Sequence, residues 1–271
     1  MISINNQEFS RLSSYIHSQL GIHLGAEKRS LVVGRLQNEL LQLQVNSFSE
    51  YIDILLQDKT GHVLNSLINK ITTNHTYFMR EVEHFTFLKE TLLPHFLRTL
   101  KERDLRLWCA ACSTGEEPYT IAMLLNDFFQ QDRLGWDTQI LATDISDRVL
   151  EHAIQAEYTQ DQIHPLPQLW KSQYIRRNEQ GNYTFNEKIK KEVIFRRFNL
   201  MEPNYPFKRK FHIIFCRNVM IYFDAETKMQ LLNKLYQSLE SGGYLFIGHS
   251  ESINRESTPF KYVMPAVYRK E

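Results

Sequence analysis

Two short stretches place acidic residues where an α/β protein holds its ligands. The apolar run Leu-Arg-Leu-Trp-Cys-Ala-Ala-Cys (105–112) reads as a strand, and Ser113-Thr114-Gly115-Glu116-Glu117-Pro118-Tyr119 follows it into a helix. In an open α/β sheet, ligands bind beyond the carboxyl ends of the strands, where strand order reverses. This loop has one glycine rather than the G-x-G-x-x-G of a dinucleotide site, so it offers a diphosphate no cradle. Its two glutamates instead put negative charge at a helix N-terminus, where the dipole favours it. A carboxylate there either holds a ligand's ammonium group or simply caps the helix. The next strand, Thr-Gln-Ile-Leu-Ala-Thr-Asp-Ile (138–145), ends on Asp144. An acid at that position either accepts ribose hydroxyls or caps the following helix. Taken together, a loop that refuses phosphate and an acid that suits ribose fit a nucleoside without a diphosphate. S-adenosylmethionine is the commonest such ligand. A third strand, Phe-His-Ile-Ile-Phe (211–215), runs into Cys216-Arg217-Asn218-Val219-Met220-Ile221-Tyr222-Phe223. Core packing accounts for its apolar members but not for Arg217 and Asn218. Cys109 and Cys112 form a C-x-x-C, but no second pair completes a zinc set, so they read as small residues ending a buried strand.

The elements that must position these residues fall into two kinds. Up to about residue 71 the apolar residues recur at helical spacing: Phe9, Leu12, Ile16 and Leu20 before Gly21; Leu31, Leu36, Leu40 and Leu43; Phe48, Tyr51, Ile52, Leu55 and Leu56; Val63, Leu64, Leu67, Ile68 and Ile71. These predict four helices. From about residue 105, strands alternate with helices at 116–129, 146–157 and 225–239, and 243–249 adds another strand. That rhythm implies an open, mostly parallel sheet covered on both faces. Residues 158–198 break it, with 178–181 as a turn between two alternating strands and the lysine-rich 188–191 within the strand after it, the mark of a small antiparallel insertion. The last strands span 260–268, with Pro265 at an edge or bend.

The chain has 271 residues, 42% hydrophobic and 23% charged, with a net charge of +1. That balance argues against a dominant electrostatic partner such as nucleic acid. The first residues lack a basic region followed by an apolar core, no run reaches the roughly 18 apolar residues of a membrane span, and three cysteines are too few for a disulfide framework. A cytoplasmic location is the expectation.

In six segments the sequence resembles the CheR chemotaxis methyltransferases. They are Thr72-Thr73-Asn74-His75-Thr76-Tyr77-Phe78-Met79-Arg80-Glu81, Ala111-Cys112-Ser113-Thr114-Gly115-Glu116-Glu117-Pro118-Tyr119, Ala142-Thr143-Asp144-Ile145, Asn199-Leu200, residues 215–223 and Gly248-His249-Ser250-Glu251. They run in order along nearly the whole chain. The resemblance implies a helical receptor-recognition domain (1–71), a linker that touches the cofactor (72–104) and a class I, Rossmann-like methyltransferase domain (105–271). A small antiparallel β-subdomain is inserted in the last at about 158–198.

It also implies that Asn74, Thr76, Arg80, Glu117, Asp144, Asn199, Leu200, Arg217 and Asn218 bind S-adenosylmethionine and its product S-adenosylhomocysteine. Glu117 would meet the ammonium group, Asp144 the ribose and Asn199 the adenine edge. Arg80 and Tyr222 are the residues placed beside the transferred methyl group. The implied substrates are glutamates on the acidic helical bundle of chemotaxis receptors, and Lys28, Arg29 and Arg35 offer a basic helix face to recognise it. The turn of the inserted hairpin, 176–183, is short and holds one glycine, which resembles family members that need no receptor pentapeptide tether. A monomer is expected. The Asn/Asp-Pro-Pro-aromatic motif of adenine-methylating enzymes is missing after the strand ending in Arg217-Asn218. A non-catalytic module that kept the fold is the remaining rival, and the intact Arg80, Glu117, Asp144 and Tyr222 speak against it.

Overall fold

Helix α1 (Asn6–Leu20) starts on a capping box: Asn5 accepts from the Glu8 amide, and Glu8 accepts from the Asn5 amide. Its buried stripe is Leu12, Ile16 and Leu20, and Gly21 ends it in the left-handed region (φ 71°). A Cβ on Gly21 would collide with Met201 and Thr227. Helices α2 (Arg29–Gln42), α3 (Phe48–Gln57) and α4 (His62–Ile71) complete the predicted set. In α2 the buried stripe is Val32, Leu36 and Leu40, and Leu31, predicted inside, is 45% exposed. A strict i, i+4, i+8 line through Leu36 selects Val32 over its neighbour. The carboxylate of Glu8 also accepts from the amide and hydroxyl of Ser49 at 2.9 and 2.8 Å, tying α1 to the start of α3. Two later segments join these helices. Asn199 donates through Nδ2 to the carbonyl of Gln19 (2.8 Å), and the carbonyl of Tyr222 accepts from His23 (2.8 Å).

In this computed structural model, residues 2–129, 135–254 and 258–271 are described. They form two units: Met1–Thr73 with Asn199–Met201 and Tyr222–Lys228, and Asn74–Phe198 with Glu202–Ile221 and Met229–Glu271.

The second unit opens with helices that the sequence reading left as a linker. α5 (Val82–Phe87) passes through a π-helical turn (Leu88–Leu92) into α6 (Leu93–Thr99). Then come β1 (Leu107–Cys109), α7 (Glu116–Phe128), β2 (Ile140–Asp144), α8 (Asp147–Gln155), β3 (Glu157–Tyr158), α9 (Gln160–Ile163), α10 (Gln168–Tyr174), β4 (Ile175–Arg177), β5 (Tyr183–Phe185), α11 (Glu187–Lys190), β6 (Val193–Arg197), β7 (Phe211–Phe215), α12 (Ala225–Ser238), β8 (Leu239–Phe246), β9 (Lys261–Met264) and β10 (Val267–Arg269). α12 starts within the segment that joins the first unit. The main sheet has seven strands in the order β6-β2-β1-β7-β8-β10-β9. The first five run parallel, and β10 and β9 return antiparallel, with Pro265 in the bend between them. Strand order reverses at β1, so the loops after β1, β2 and β7 share one end of the sheet. Trp108, fully buried in β1, donates its indole N–H to Thr143 Oγ1 (2.9 Å) and locks β1 to β2.

Two expectations for the insertion need correction. Its antiparallel sheet is β3-β5-β4, with the predicted turn between β4 and β5. Val193–Arg197, placed within the insertion from sequence, instead pairs in parallel with β2 as an edge of the main sheet. The lysine-rich stretch 188–191, read as a strand, is mostly helix α11, because Asn186 caps it by accepting from the Ile189 amide (3.1 Å).

Burial alone would raise the carboxyl of Glu8, but the hydrogen bonds from Asn5 and Ser49 bring it below the usual carboxylate range. A depressed folded pKa stabilises the chain above the unfolded value, about 4.3, and that contribution disappears as pH falls through the folded value. Glu8→Ala is therefore expected to lose about 1.5–3 kcal/mol at neutral pH, with the gap to wild type closing as the medium turns acid. Urea unfolding across pH tests this; equal midpoints at pH 7 would contradict it.

Candidate active site

Asp144 closes β2, and its two oxygens are engaged by backbone. Oδ2 accepts from the Ser113 amide (2.9 Å) and Oδ1 from the Ser146 amide (3.1 Å). The Cys112 amide bonds the Thr143 carbonyl (2.9 Å), so the first loop is stitched to the end of β2. The loop thereby directs its amide at the protein's own acid, not at a phosphate. Ser113 (φ 48°) and Gly115 (φ 98°) make the tight turn, and a Cβ on Gly115 would stand 2.9 Å from the Tyr158 hydroxyl. Burial pushes the Asp144 carboxyl up, while the amides of Ser146 and Ser113 pull it back. The Ile145 amide bears on it as well, and three amides against about four acceptor sites leave room for a hydroxyl donor.

Beside it lies a buried ion cluster. The guanidinium of Arg217, at the end of β7 and 2% exposed, reaches Glu117 Oε2 at 3.0 Å and Glu81 Oε2 at 3.1 Å, and donates to the carbonyl of Arg80. Glu117, in the first turn of α7, is raised by burial, an effect that Arg217 opposes. For Glu81, burial would raise the carboxyl, but Arg217, the His249 amide and the Asn218 side chain together outweigh it and the net shift is down. Arg217 is shared by both carboxylates, and Arg80 adds a second, more distant cation at 4.0 Å from Glu81. Glu81 carries a left-handed backbone (φ 57°), as do Met79 (φ 63°) and Asn218 (φ 59°). The backbone is thus bent against its preferences at several points around Arg217.

Arg80 stands over the ring of Tyr77 (5.8 Å), donates through Nη1 to the His75 carbonyl (2.8 Å) and brings Nε to 4.0 Å from Glu81. Asn74 accepts on its carbonyl from the Ser113 hydroxyl (3.2 Å), and its Nδ2 is buried without a partner among the described residues. Thr76 lies half-buried on the same segment. Asn218 donates through Nδ2 to Glu81 Oε1 (3.3 Å). The second unit thus gathers Asn74, Thr76, Arg80, Glu117, Asp144, Arg217 and Asn218.

The other expected residues belong to the first unit. Both ends of the Asn199 amide are engaged there, Nδ2 by Gln19 and Oδ1 by the Met201 amide (2.9 Å), and Leu200 is buried. The Tyr222 hydroxyl is 3.4 Å from the Thr73 carbonyl, a long contact. Arg29 bonds Asn6 Oδ1 (2.6 Å) and the Ile4 carbonyl, while Arg35 bonds the Ile71 carbonyl (2.8 Å) and Thr73. Lys28 is half-exposed beside them.

Sequence reasoning missed two members of the site. Glu81 pairs with Arg217, 136 residues away, and nothing in its local sequence announces this. Glu251 accepts from the amides of Asn218 (2.9 Å), Met220 (2.7 Å) and Gly248 (2.5 Å), so it holds the turn after β7. The segment 248–251 was visible as a motif, but its role was not.

Three features fit S-adenosylmethionine: an acid at the β2 end with room for a hydroxyl donor, the buried carboxylate of Glu117 in the first turn of α7 for an ammonium group, and the unpartnered Asn74 amide. Together with five parallel strands and an antiparallel return, they define a class I methyltransferase. The comparisons refine this. Residues 7–72 match the all-alpha domain of CheR methyltransferases and residues 74–268 their SAM binding domain. The chain belongs to the CheR methyltransferase family, whose cofactor is S-adenosylmethionine. It is 42% identical over 273 residues to a chemotaxis protein methyltransferase of Borreliella burgdorferi, covering 99% of this chain and 96% of that one. It is 34% identical over 256 residues to chemotaxis protein methyltransferase Cher2 of Pseudomonas putida, covering 93% of each. With the chemotaxis protein methyltransferase of Escherichia coli it shares 33% identity over 270 residues, covering 98% of this chain and 92% of that one.

Replacing Asp144 by alanine is expected to weaken S-adenosylmethionine and S-adenosylhomocysteine equally, since both carry the ribose, by about 1.5–3 kcal/mol. Calorimetry with both ligands measures this, and unchanged affinities would take Asp144 out of the site.

Proposed function

We propose that this chain transfers the methyl group of S-adenosylmethionine to glutamate side chains on the helical bundle of chemotaxis receptors, in the cytoplasm, as part of sensory adaptation. The observation that carries this reading is its near full-length likeness, across both units, to proteins named chemotaxis protein methyltransferases. No helix among the described residues is long and apolar enough to cross a membrane, so any membrane association is attributed to the receptor.

When bound, S-adenosylmethionine supplies an electrophilic methyl carbon. The acceptor needs no general base from the protein, because a glutamate with a pKa near ~4.3 is already ionised at neutral pH. What remains is positioning, which contributes roughly 7–11 kcal/mol when reacting atoms are held in line. We assign Arg80 to orienting the acceptor carboxylate. Its anchoring on His75 and Tyr77 restricts the side chain in advance. Tyr222 is assigned to hydrogen-bonding the acceptor or the donor, since its hydroxyl is only loosely engaged. Glu117 receives the ammonium group, Asp144 the ribose, and Asn74 and Thr76 line the cofactor. Arg217 and Asn218 hold Glu117 and Glu81 in place. Asn199 and Leu200 are assigned to the cofactor on the family resemblance, with both ends of the Asn199 side-chain amide already engaged by Gln19 and Met201. Lys28, Arg29 and Arg35 form the basic corner for an acidic receptor helix; the bonds to Arg29 and Arg35 fix their charges without cancelling them.

The test is methylation of purified receptor with labelled S-adenosylmethionine, scored as base-labile methyl ester. Arg80→Ala is expected to lower turnover by about a hundredfold or more while the chain stays folded. Turnover within a few-fold of wild type would remove Arg80 from the catalytic role, and no base-labile label with the wild-type chain would refute the substrate.

Tether independence is part of the same proposal. A pentapeptide joins such a subdomain as an added strand. The free edge on the hairpin side of the small sheet is β4, where Arg176 and Arg177 are exposed, and charged side chains on an edge discourage strand addition. Deleting a receptor's C-terminal pentapeptide should leave methylation rates unchanged. Micromolar binding of that peptide, lost on mutating residues 178–181, would overturn this.

A further inference from the structure

The Arg217 cluster has a neighbour that methyl transfer does not use. His84 lies one turn after Glu81 on α5 and is 0% exposed; the Pro265 carbonyl approaches its ring, but neither ring nitrogen makes a well-formed hydrogen bond among the described residues. Buried polar groups are nearly always bonded, so an orphaned imidazole calls for an explanation. Its Nδ1 stands 3.5 Å from Glu81 Oε2, without the alignment of a hydrogen bond. The imidazole of His249, in the loop after β8, lies edge-on to it, with ring centres 4.8 Å apart and planes at 84°. One ligand atom from each of Glu81, His84 and His249 falls within 4.8 Å of the other two.

We propose that Glu81, His84 and His249 form a zinc site. Zinc takes imidazole nitrogen and carboxylate oxygen at about 2.0–2.2 Å, so two tetrahedral ligands stand about 3.4 Å apart. The Glu81–His84 separation of 3.5 Å already matches one edge of that tetrahedron. Only His249 has to move, and it is exposed and can turn inward. Two histidines and one carboxylate are a common zinc set, with the fourth position left to water. Arg217 now shares Glu81 Oε2 at 3.1 Å, so zinc and the guanidinium compete for that oxygen. Occupancy therefore leaves Arg217 to Glu117 alone. The site stands on its geometry, independently of which substrate the enzyme methylates.

The experiment titrates the metal-free chain with zinc chloride by calorimetry and, in parallel, with cobalt(II) by absorption spectroscopy. One zinc per chain with micromolar or tighter affinity is expected, with the intense visible bands of four-coordinate cobalt. His249→Ala alters an exposed side chain and should weaken zinc by more than the roughly tenfold that loss of a supporting partner costs, with the visible bands lost. Glu81→Gln, with folding checked by circular dichroism, should do the same. No uptake tighter than millimolar overturns the proposal, as does uptake unchanged in His249→Ala, which would locate the metal on other histidines.

Discussion

The cofactor end of the sheet depends on one buried guanidinium. Arg217 leaves the end of β7 and neutralises part of the charge on Glu117 from α7 and Glu81 from the segment before α5. Taking these charges out of water is costly, and their mutual attraction offsets that only while the geometry holds. The arrangement therefore fixes three chain segments together, where a single substitution would leave an unpaired charge in low dielectric. It also sets the site's electrostatics. Glu117 shares Arg217 with Glu81, which also faces Arg80, and Glu117 is the carboxylate proposed to meet a ligand ammonium.

How much of this was legible in the sequence depends on the range of the interaction. Asp144 and Glu117 could be found because strand ends and helix starts have local signatures. The stripe of α1 follows from period alone, whereas in α2 adjacent Leu31 and Val32, and in α3 adjacent Leu55 and Leu56, both suit a helical pattern and only packing chose between them, leaving Leu31 and Leu56 exposed. Residues 188–191 alternate like a strand, but a single cap at Asn186 outweighs alternation over so short a run. β6 is a different case. Its residues read correctly as a strand, but its parallel partner β2 lies about fifty residues earlier (Ile140 with Val193), and no local pattern states that pairing. The helical run from α5 to α6 was passed over, although Phe85, Leu88, Leu92 and Phe96 recur at helical spacing; Pro94 falls just after the π-helical turn, where a proline inside a run disfavours reading it as one helix.

The basic residues of the first unit show how one side chain can serve two ends. Arg29 and Arg35 were read as a free recognition face, but each also bonds backbone carbonyls, Ile4 and Ile71 respectively. Substituting them would disturb the chain start and the end of α4 as well as the surface charge. Lys28, with no such bond among the described residues, is the cleaner probe of electrostatics alone.

Glu251 imposes a constraint on inheritance. Its carboxylate is shared among amides from two separate stretches, 218–220 and 248, and Gly248 sits so close to Asn218 that an added Cβ would fall 2.3 Å from Nδ2. Neither stretch can drift alone: a larger residue at 248 needs a different one at 218, and a changed turn after β7 loses its acid. A chimera that imports the turn after β7 from a distant homologue must import residues 248–251 with it, so the two stretches form one exchangeable unit despite the helix and strand that separate them in the chain.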